Sequence, residues 1–382
     1  MKAEKPKERP DIGKFLGFDH IVFWVGNAKQ AASYYTSRFS FDYLAYRGLE
    51  TGDRHIASHV IKKNNIIFEF QSSYDVKDEN GIGKFVATHG DGIRDMAFTV
   101  EDVVKTVNFA KAKGAKIIKD LHKEEDENGY VLMATLQVYG DSLHTLVQRD
   151  HYNGPFLPHY KPHHLTEPFN KLLEPVNLLH IDHLAANHKL GDMEPTSIWY
   201  EKMLSFHRFM TVDDSIMNSE YSAAAFVVVA DFDEIIKMPQ NEPAINKKKS
   251  NVQEYVDYYG GSGVQHIAFR TENILEDIRR LRERGVQFLR VPDTYYDNLK
   301  KKLPDMKVPV KEDIDLIQKN QILLDYDDKG YLLQIFTKPV EDRPTFFLEI
   351  IQRHNHQGFG AGNFKALFKA VEMEQELRGN LV

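Results

Sequence analysis

The chain carries one module twice, and that repeat constrains its fold more than any other feature. Gly92-Ile93-Arg94-Asp95-Met96-Ala97-Phe98 is answered by Gly263-Val264-Gln265-His266-Ile267-Ala268-Phe269. An amphipathic stretch follows each. Val103, Val104, Val107 and Ala110 match Ile274, Leu275, Ile278 and Leu281, and Gly114 matches Gly285, all at an offset of 171 residues. Two further pairs bracket these at other offsets. Phe18-Asp19-His20-Ile21 matches Ile181-Asp182-His183-Leu184, and Thr145-Leu146-Val147-Gln148-Arg149 matches Glu349-Ile350-Ile351-Gln352-Arg353. A constant offset over this length is what a structural duplication gives. Three positions line up between the halves: His20, Asp95 and Thr145 in the first, His183, His266 and Glu349 in the second.

The repeat sets the organisation. A first module spans 18–149, a linker 150–178, a second module 179–353, and a glycine turn with a last helix 354–382. Pro155, Pro158, Pro162, Pro168 and Pro175 make the linker read as extended chain. Its histidines His159, His163 and His164 read as surface residues. In the second module, Leu178–Ala186, Tyr221–Ala230 and Val264–Arg270 read as strands, as do the apolar runs Ile322–Asp325, Tyr331–Thr337 and Phe346–Gln352. Pro195–Met203 reads as a helix, and so does Ile274–Arg284, stopped by Gly285. Mixed βα and ββ order predicts an α+β fold with curved sheets.

Strand periodicity points to chemistry. Side chains two apart share a face. His183 is in phase with Ile181 and Ala185, His266 with Val264 and Ala268, and Glu349 with Phe347 and Ile351. Each polar group therefore faces inward with apolar neighbours. A carboxylate placed there is costly unless it is paired or coordinated. One inward histidine is ordinary core. Two imidazoles and a carboxylate at matched positions of a repeat form a face for a divalent metal with open positions, a set that suits non-haem Fe(II) and that zinc also accepts. The first half lacks such a set, because Thr145 is a weak neutral ligand; His20 and Asp95 read as a structural hydrogen bond or as separate groups.

Other features exclude functions. With no cysteine, thiolate metal sites and thiol nucleophiles are ruled out. A net charge of −7 argues against nucleic-acid binding, and the runs Lys247-Lys248-Lys249 and Lys300-Lys301-Lys302 read as solvated faces. Residues Met1 to Lys14 are charged and unlike a secretory signal. No apolar run reaches membrane-spanning length, so a soluble, cytoplasmic protein is expected. Gly358-Phe359-Gly360-Ala361-Gly362-Asn363 resembles a phosphate loop, yet Asn363 stands where the dinucleotide pattern needs Gly, and no βαβ unit follows. Asn363 is expected to cap the last helix. That helix is either a lid over the second module, with Phe359, Phe364 and Phe368 facing its pocket, or ordinary core packing.

The second half closely resembles the 4-hydroxyphenylpyruvate dioxygenase family. The similarity runs through His180-Ile181-Asp182-His183, Glu254-Tyr255-Val256-Asp257-Tyr258 and Gly263 to Ala268. It continues through Gly330-Tyr331-Leu332-Leu333-Gln334-Ile335-Phe336-Thr337-Lys338-Pro339, Phe346 to Arg353, and Gly358 to Gln375. The resemblance implies the vicinal oxygen chelate fold: two tandem modules of paired βαβββ units forming open barrels, with a C-terminal lid helix. It implies one Fe(II) per chain on His183, His266 and Glu349. It also implies oxidative decarboxylation of a 2-oxo acid with O2, ring hydroxylation and side-chain migration to give homogentisate in tyrosine catabolism, and a homodimer. Gln334, Gln265, Asn241 and Asn363 are implied as pocket amides, and Phe336, Phe347, Phe359, Phe364 and Phe368 as its aromatic wall. Gln265 sits awkwardly in this set, since alternation turns it away from His266.

Two pocket positions depart from the family pattern. Phe226 stands where Ser is usual, and Asn251 where Gln is usual. Exchanging Ser for Phe removes a hydroxyl partner and adds bulk, so the expectation is intact iron binding with altered substrate fit. Two alternatives stay open at this stage: benzylic hydroxylation of the same substrate, as in 4-hydroxymandelate synthases, and a catalytically weakened or silent homologue.

Overall fold

The computed structural model describes residues 5–75, 77–212, 224–244 and 250–380. The first three residues of the expected strand Tyr221–Ala230, and the run Lys247-Lys248-Lys249, lie outside them.

The repeat becomes two sheets of the same design. The first contains β1 (Phe15–Trp24), β2 (Asp42–Arg47), β3 (Ile56–Lys63), β4 (Ile66–Ser73), β5 (Gly92–Val100), β6 (Ile117–Asp126), β7 (Gly129–Gln137), β8 (Leu143–Gln148) and the short β9 (Lys161–Pro162). The second contains β10 (Ile181–Asn187), β11 (His207–Val212), β12 (Ala224–Ala230), β13 (Lys237–Pro243), β14 (Gly263–Arg270), β15 (Leu323–Tyr326), β16 (Tyr331–Phe336) and β17 (Phe347–His354). Their spatial orders are β6-β7-β8-β5-β1-β4-β3-β2-β9 and β11-β12-β13-β10-β14-β17-β16-β15. Read from opposite ends, the two orders coincide strand for strand, with β9 added to the first. Each sheet is two βαβββ units joined through their first strands, which run antiparallel: β1 with β5, and β10 with β14. The expected α+β architecture of paired βαβββ units is what the chain forms.

The helices follow local signals. Ile274–Glu283 begins where the Asn273 side chain accepts from the Glu276 amide, and ends at Gly285, whose φ of +83° is left-handed. Two helices that the sequence reading did not identify, Asp293–Lys302 and Ile314–Lys319, are inserted before β15. They account for the jump in repeat offset from 171 to 204 between Thr145 and Glu349.

The linker is not free chain. Its Lys161–Pro162 pairs with β2, and His163 corrects the surface reading. His163 Nε2 lies 2.9 Å from His59 Nδ1, and its ring packs 4.5 Å from Tyr43. A core runs through both modules, with Phe23 against Phe346 (5.5 Å), Phe41 against Phe269 (6.3 Å) and Phe15 against Phe206 (5.0 Å) crossing between them. Among the described residues, no helix is long and apolar enough to cross a membrane.

Candidate metal centre

Three adjacent central strands of the second sheet carry His183 (β10), His266 (β14) and Glu349 (β17). Register brings them together. His183 pairs with Ala268, Ala268 pairs with Glu349, and His266 lies two residues before Ala268 on the same face. One residue of slip in either ladder would turn a ligand to the opposite face. A register shift between Ile181 and His183 aims the first imidazole.

Glu349 Oε2 lies 3.2 Å from His183 Nε2 and 3.4 Å from His266 Nε2. One candidate ligand atom from each residue falls within 4.8 Å of the other two, and among the described residues no other His, Asp and Glu cluster does this. Donors at right angles around one ion, each about 2.1 Å away, are about 3.0 Å apart. The observed spacings are close to that, so the residues present fit a divalent ion held on one face. His183 and Glu349 are buried and His266 is half-buried.

The other ring nitrogens are already engaged. His183 Nδ1–H donates to Asp182 Oδ1 at 2.8 Å, and His266 Nδ1 is 3.1 Å from Gln265 Oε1. Both partners are acceptors, so each Nε2 keeps its lone pair for a metal. Without an ion, burial disfavours every charge here. For His183, attraction to Glu349 and Asp182 overrides burial and raises its pKa above the ordinary imidazole value. The two imidazoles likewise override burial at Glu349 and lower its pKa from the ordinary glutamate value. At His266 burial wins and pushes the pKa down.

A cavity of about 60 Å³ adjoins the triad. Its wall includes Asn241, Gln334, Phe336, Phe359, Phe364 and Phe226. Phe226 is buried, faces Asn241 across the β12–β13 ladder, and its ring meets Phe364 edge-on at 5.3 Å. Gln334 Oε1 is buried without a partner, while Asn241 Nδ2 donates to Asn187 Oδ1 at 3.1 Å. Phe359 packs edge-on to His183 (5.0 Å), and Phe347 stacks on His266 (5.0 Å, 16°).

Several expected pocket residues lie elsewhere. Gln265 and Asn251 line a separate cavity of about 30 Å³, which Phe347 also borders. Alternation explains this: Gln265 turns away from its neighbour, reaching His266 only through the ring's Nδ1. Phe368 packs in a cluster with Phe226, Phe359 and Phe364. Asn363 does not cap the helix Phe364–Leu377; its backbone is already helical, and its Oδ1 accepts from Tyr295 Oη at 2.8 Å. The glycines before it serve close packing. Gly360 sits at φ +77°, and a Cβ there would fall 2.1 Å from Gln334 Oε1.

The first module carries no comparable ligand set at the matched positions. Asp95 Oδ2 accepts from Thr145 Oγ1, and its Oδ1 from the Thr145 amide at 2.9 Å. His20 Nδ1 instead lies 2.7 Å from Asp19 Oδ1. The sequence reading missed Asp182 and Arg353, although both lie inside the duplicated segments. Arg353 Nε and Nη2 grip Asp182 at 2.8 and 2.7 Å, as Arg149 grips Asp19 at 2.8 and 2.5 Å.

Similarity to known proteins agrees with this construction. The model of the Glyoxalase/Bleomycin resistance protein/Dioxygenase superfamily matches residues 17–141 and again 180–335. A 4-hydroxyphenylpyruvate dioxygenase of Tetrahymena thermophila is 52% identical, with 99% of this chain and 95% of the relative covered. Its counterpart in Dictyostelium discoideum is 53% identical over 96% of this chain and 100% of the relative. Among solved structures, a mutant of 4-hydroxymandelate synthase from Streptomyces coelicolor superposes with a TM-score of 0.81 at 27% identity, covering 94% of this chain and 98% of that one. With near-complete coverage at such identity, and both repeats matched, the chain belongs to the 4-hydroxyphenylpyruvate dioxygenase family of the Glyoxalase/Bleomycin resistance protein/Dioxygenase superfamily.

Proposed function

We propose that this protein is an iron-dependent dioxygenase that converts 4-hydroxyphenylpyruvate and O2 to homogentisate and CO2. One observation carries the reading: two imidazole Nε2 atoms and one carboxylate oxygen converge on a single buried face beside an aromatic cavity. His183, His266 and Glu349 are the ligands of one Fe(II) per chain. Iron held there supplies a chelation point for a 2-oxo acid and activates dioxygen.

The chain's own residues do the rest. Asp182 and Gln265 fix the two imidazole rings so that both Nε2 atoms face the Glu349 carboxylate. Phe336, Phe359 and Phe364 form walls for a flat ring and keep water out. Gln334, with an unpartnered buried Oε1, offers an acceptor to a substrate hydroxyl, and Asn241 supplies a second amide. At about 60 Å³ the cavity is far below the few hundred Å³ of ordinary ligand sites. Substrate entry therefore displaces Phe359 and Phe364 together with the C-terminal helix, which acts as a lid. Phe226 narrows the end of the cavity beside Phe364 and shifts how the ring is seated. Phe347 and Phe368 back the wall of this pocket, Gln265 acts on it through His266, and Asn251 lines the neighbouring cavity. The family carries the remaining expectations: a cytoplasmic homodimer serving tyrosine catabolism, checked for size by light scattering.

The test is anaerobic loading with Fe(II), then oxygen uptake with 4-hydroxyphenylpyruvate, and product identification by chromatography and NMR. Stoichiometric O2 and CO2 with homogentisate is the expected result. 4-Hydroxymandelate as product would move the reaction to the benzylic carbon, and no oxygen uptake would overturn the reading.

A further inference from the structure

The duplicated grip of arginine on aspartate has a different reach in each half. In the first module Arg149 holds Asp19, Asp19 faces His20 Nδ1, and Arg149 Nη1 donates to Phe156 O at 2.6 Å. The Phe156 ring packs edge-on to His20 (4.9 Å, 80°). In the second, Arg353 holds Asp182, Asp182 accepts from His183 Nδ1, and Arg353 Nη1 donates to His356 O (3.1 Å) and Gly358 O (2.5 Å). The Phe359 ring packs edge-on to His183 (5.0 Å, 77°), with the Arg353 guanidinium 5.5 Å from its centroid. The two arrays share the arginine–aspartate–histidine core and the edge-on Phe ring, and differ in what the arginine's Nη1 reaches. Among the described residues, only the second holds a metal-ligand set, and its Phe359 walls the cavity beside that set.

We infer that Arg353 is a positioning residue that couples metal binding at His183 to the seating of the C-terminal segment over the cavity. Its planar fork fixes the Asp182 carboxylate, which fixes the His183 ring. Its remaining nitrogen fixes two carbonyls, His356 O and Gly358 O, just before Phe359, and Phe359 closes the path by resting against His183. An ion that holds His183 in place thereby steadies Phe359, and a seated Phe359 keeps His183 aimed. The first module supplies a control within the same chain, since Arg149 grips Asp19 in the same way but reaches a single carbonyl, Phe156 O, and Asp95 and Thr145 hold each other there.

This inference rests on the iron reading, and its test separates the two. Wild type, Arg353→Met, Arg353→Lys and Arg149→Met are compared for Fe(II) affinity under anaerobic titration. Amide hydrogen exchange across residues 356–370 is followed with and without Fe(II). In the wild type, Fe(II) is expected to slow exchange in this segment. Arg353→Met is expected to weaken Fe(II) binding roughly 10–100-fold and to erase the metal-dependent protection. Arg353→Lys restores charge but not the fork, and is expected to recover little of either. Arg149→Met is expected to lower the melting temperature while leaving both readouts unchanged. If Arg353→Met does not fold, Asp182→Asn replaces it with the same expectations. Wild-type affinity and protection in the Arg353 or Asp182 variant overturns the coupling alone. An equal loss of affinity in Arg149→Met overturns it as general destabilisation. Absence of Fe(II) binding by the wild type overturns the iron reading and this inference together.

Discussion

Glu349 is a buried carboxylate whose neighbours in the metal-free protein are two imidazoles. Burying such a group is costly unless positive charge sits beside it. Glu349→Gln keeps the shape and removes the charge. The variant is expected to be less stable than the metal-free wild type by about 1–3 kcal/mol, because it loses the attraction to His183, and to lose the added stability that Fe(II) gives the wild type, read from thermal melts with and without the metal. Phe226 tests the pocket. Restoring a hydroxyl with Phe226→Ser removes the ring against Phe364 and is expected to raise kcat/KM for 4-hydroxyphenylpyruvate by about 5–100-fold, at a stability cost of roughly 3 kcal/mol. Unchanged or lower kcat/KM in steady-state kinetics would show that Phe226 does not restrict the ring. The ligand face was readable from strand phase at His266 and Glu349, where alternation is regular. His183 was reached by the same rule although β10 carries a register shift just before it. Asn363 was misread, because composition cannot show that Tyr295, far away in sequence, takes its side-chain oxygen.

At the level of elements, β8 is tied to the helix Met193–Leu204 by one buried histidine. His144 Nδ1–H donates to Met96 O (2.9 Å), and Nε2 accepts from Tyr200 Oη (2.8 Å). Burial pushes its pKa down to about 4, and both contacts require the neutral ring. The unfolded chain takes up this proton near pH 6.5 and the folded one only near 4, so the unfolded state binds more protons in between. Stability from this group is therefore complete above about pH 6.5 and is lost as pH falls toward 4, by on the order of 3 kcal/mol. In denaturant titrations between pH 7 and 4, His144→Gln is expected to start less stable and to show a shallower fall. An identical slope would remove His144 as a cause. The strands that carry the ligands and the helix stopped by Gly285 were legible because periodicity and glycine stops are local; β11, β13 and the helix Asn251–Tyr259 were not read. The inserted helices before β15 were not, since Asp293–Lys302 is strongly charged and its apolar face small. The linker's fate was hidden too: pairing of Lys161–Pro162 with β2, and of His163 with His59, are long-range events.

Across the whole molecule, the two modules share one core and are pinned at their rims. Arg343 Nη1 donates to Thr88 O (2.7 Å), and His89 lies 2.6 Å from Tyr259 O, its ring stacked on that tyrosine at 4.4 Å. Arg284 Nη1 reaches Ser37 O at 2.8 Å. So large an apolar interface predicts cooperative unfolding of both halves. The two tryptophans report on one half each: Trp24 lies in β1 and Trp199 in the helix after β10. Single-tryptophan variants Trp24→Phe and Trp199→Phe, corrected for their own stability changes, are expected to give coincident denaturation midpoints; separated midpoints would mean independent modules. One ion held by three side chains of the second half is what a crystal structure of the Fe(II)-loaded protein, grown without oxygen, is expected to show. The expected result is a single iron about 2.1 Å from His183 Nε2, His266 Nε2 and a Glu349 carboxylate oxygen, with the first module metal-free. An iron bound elsewhere, or none at these three atoms, would contradict it.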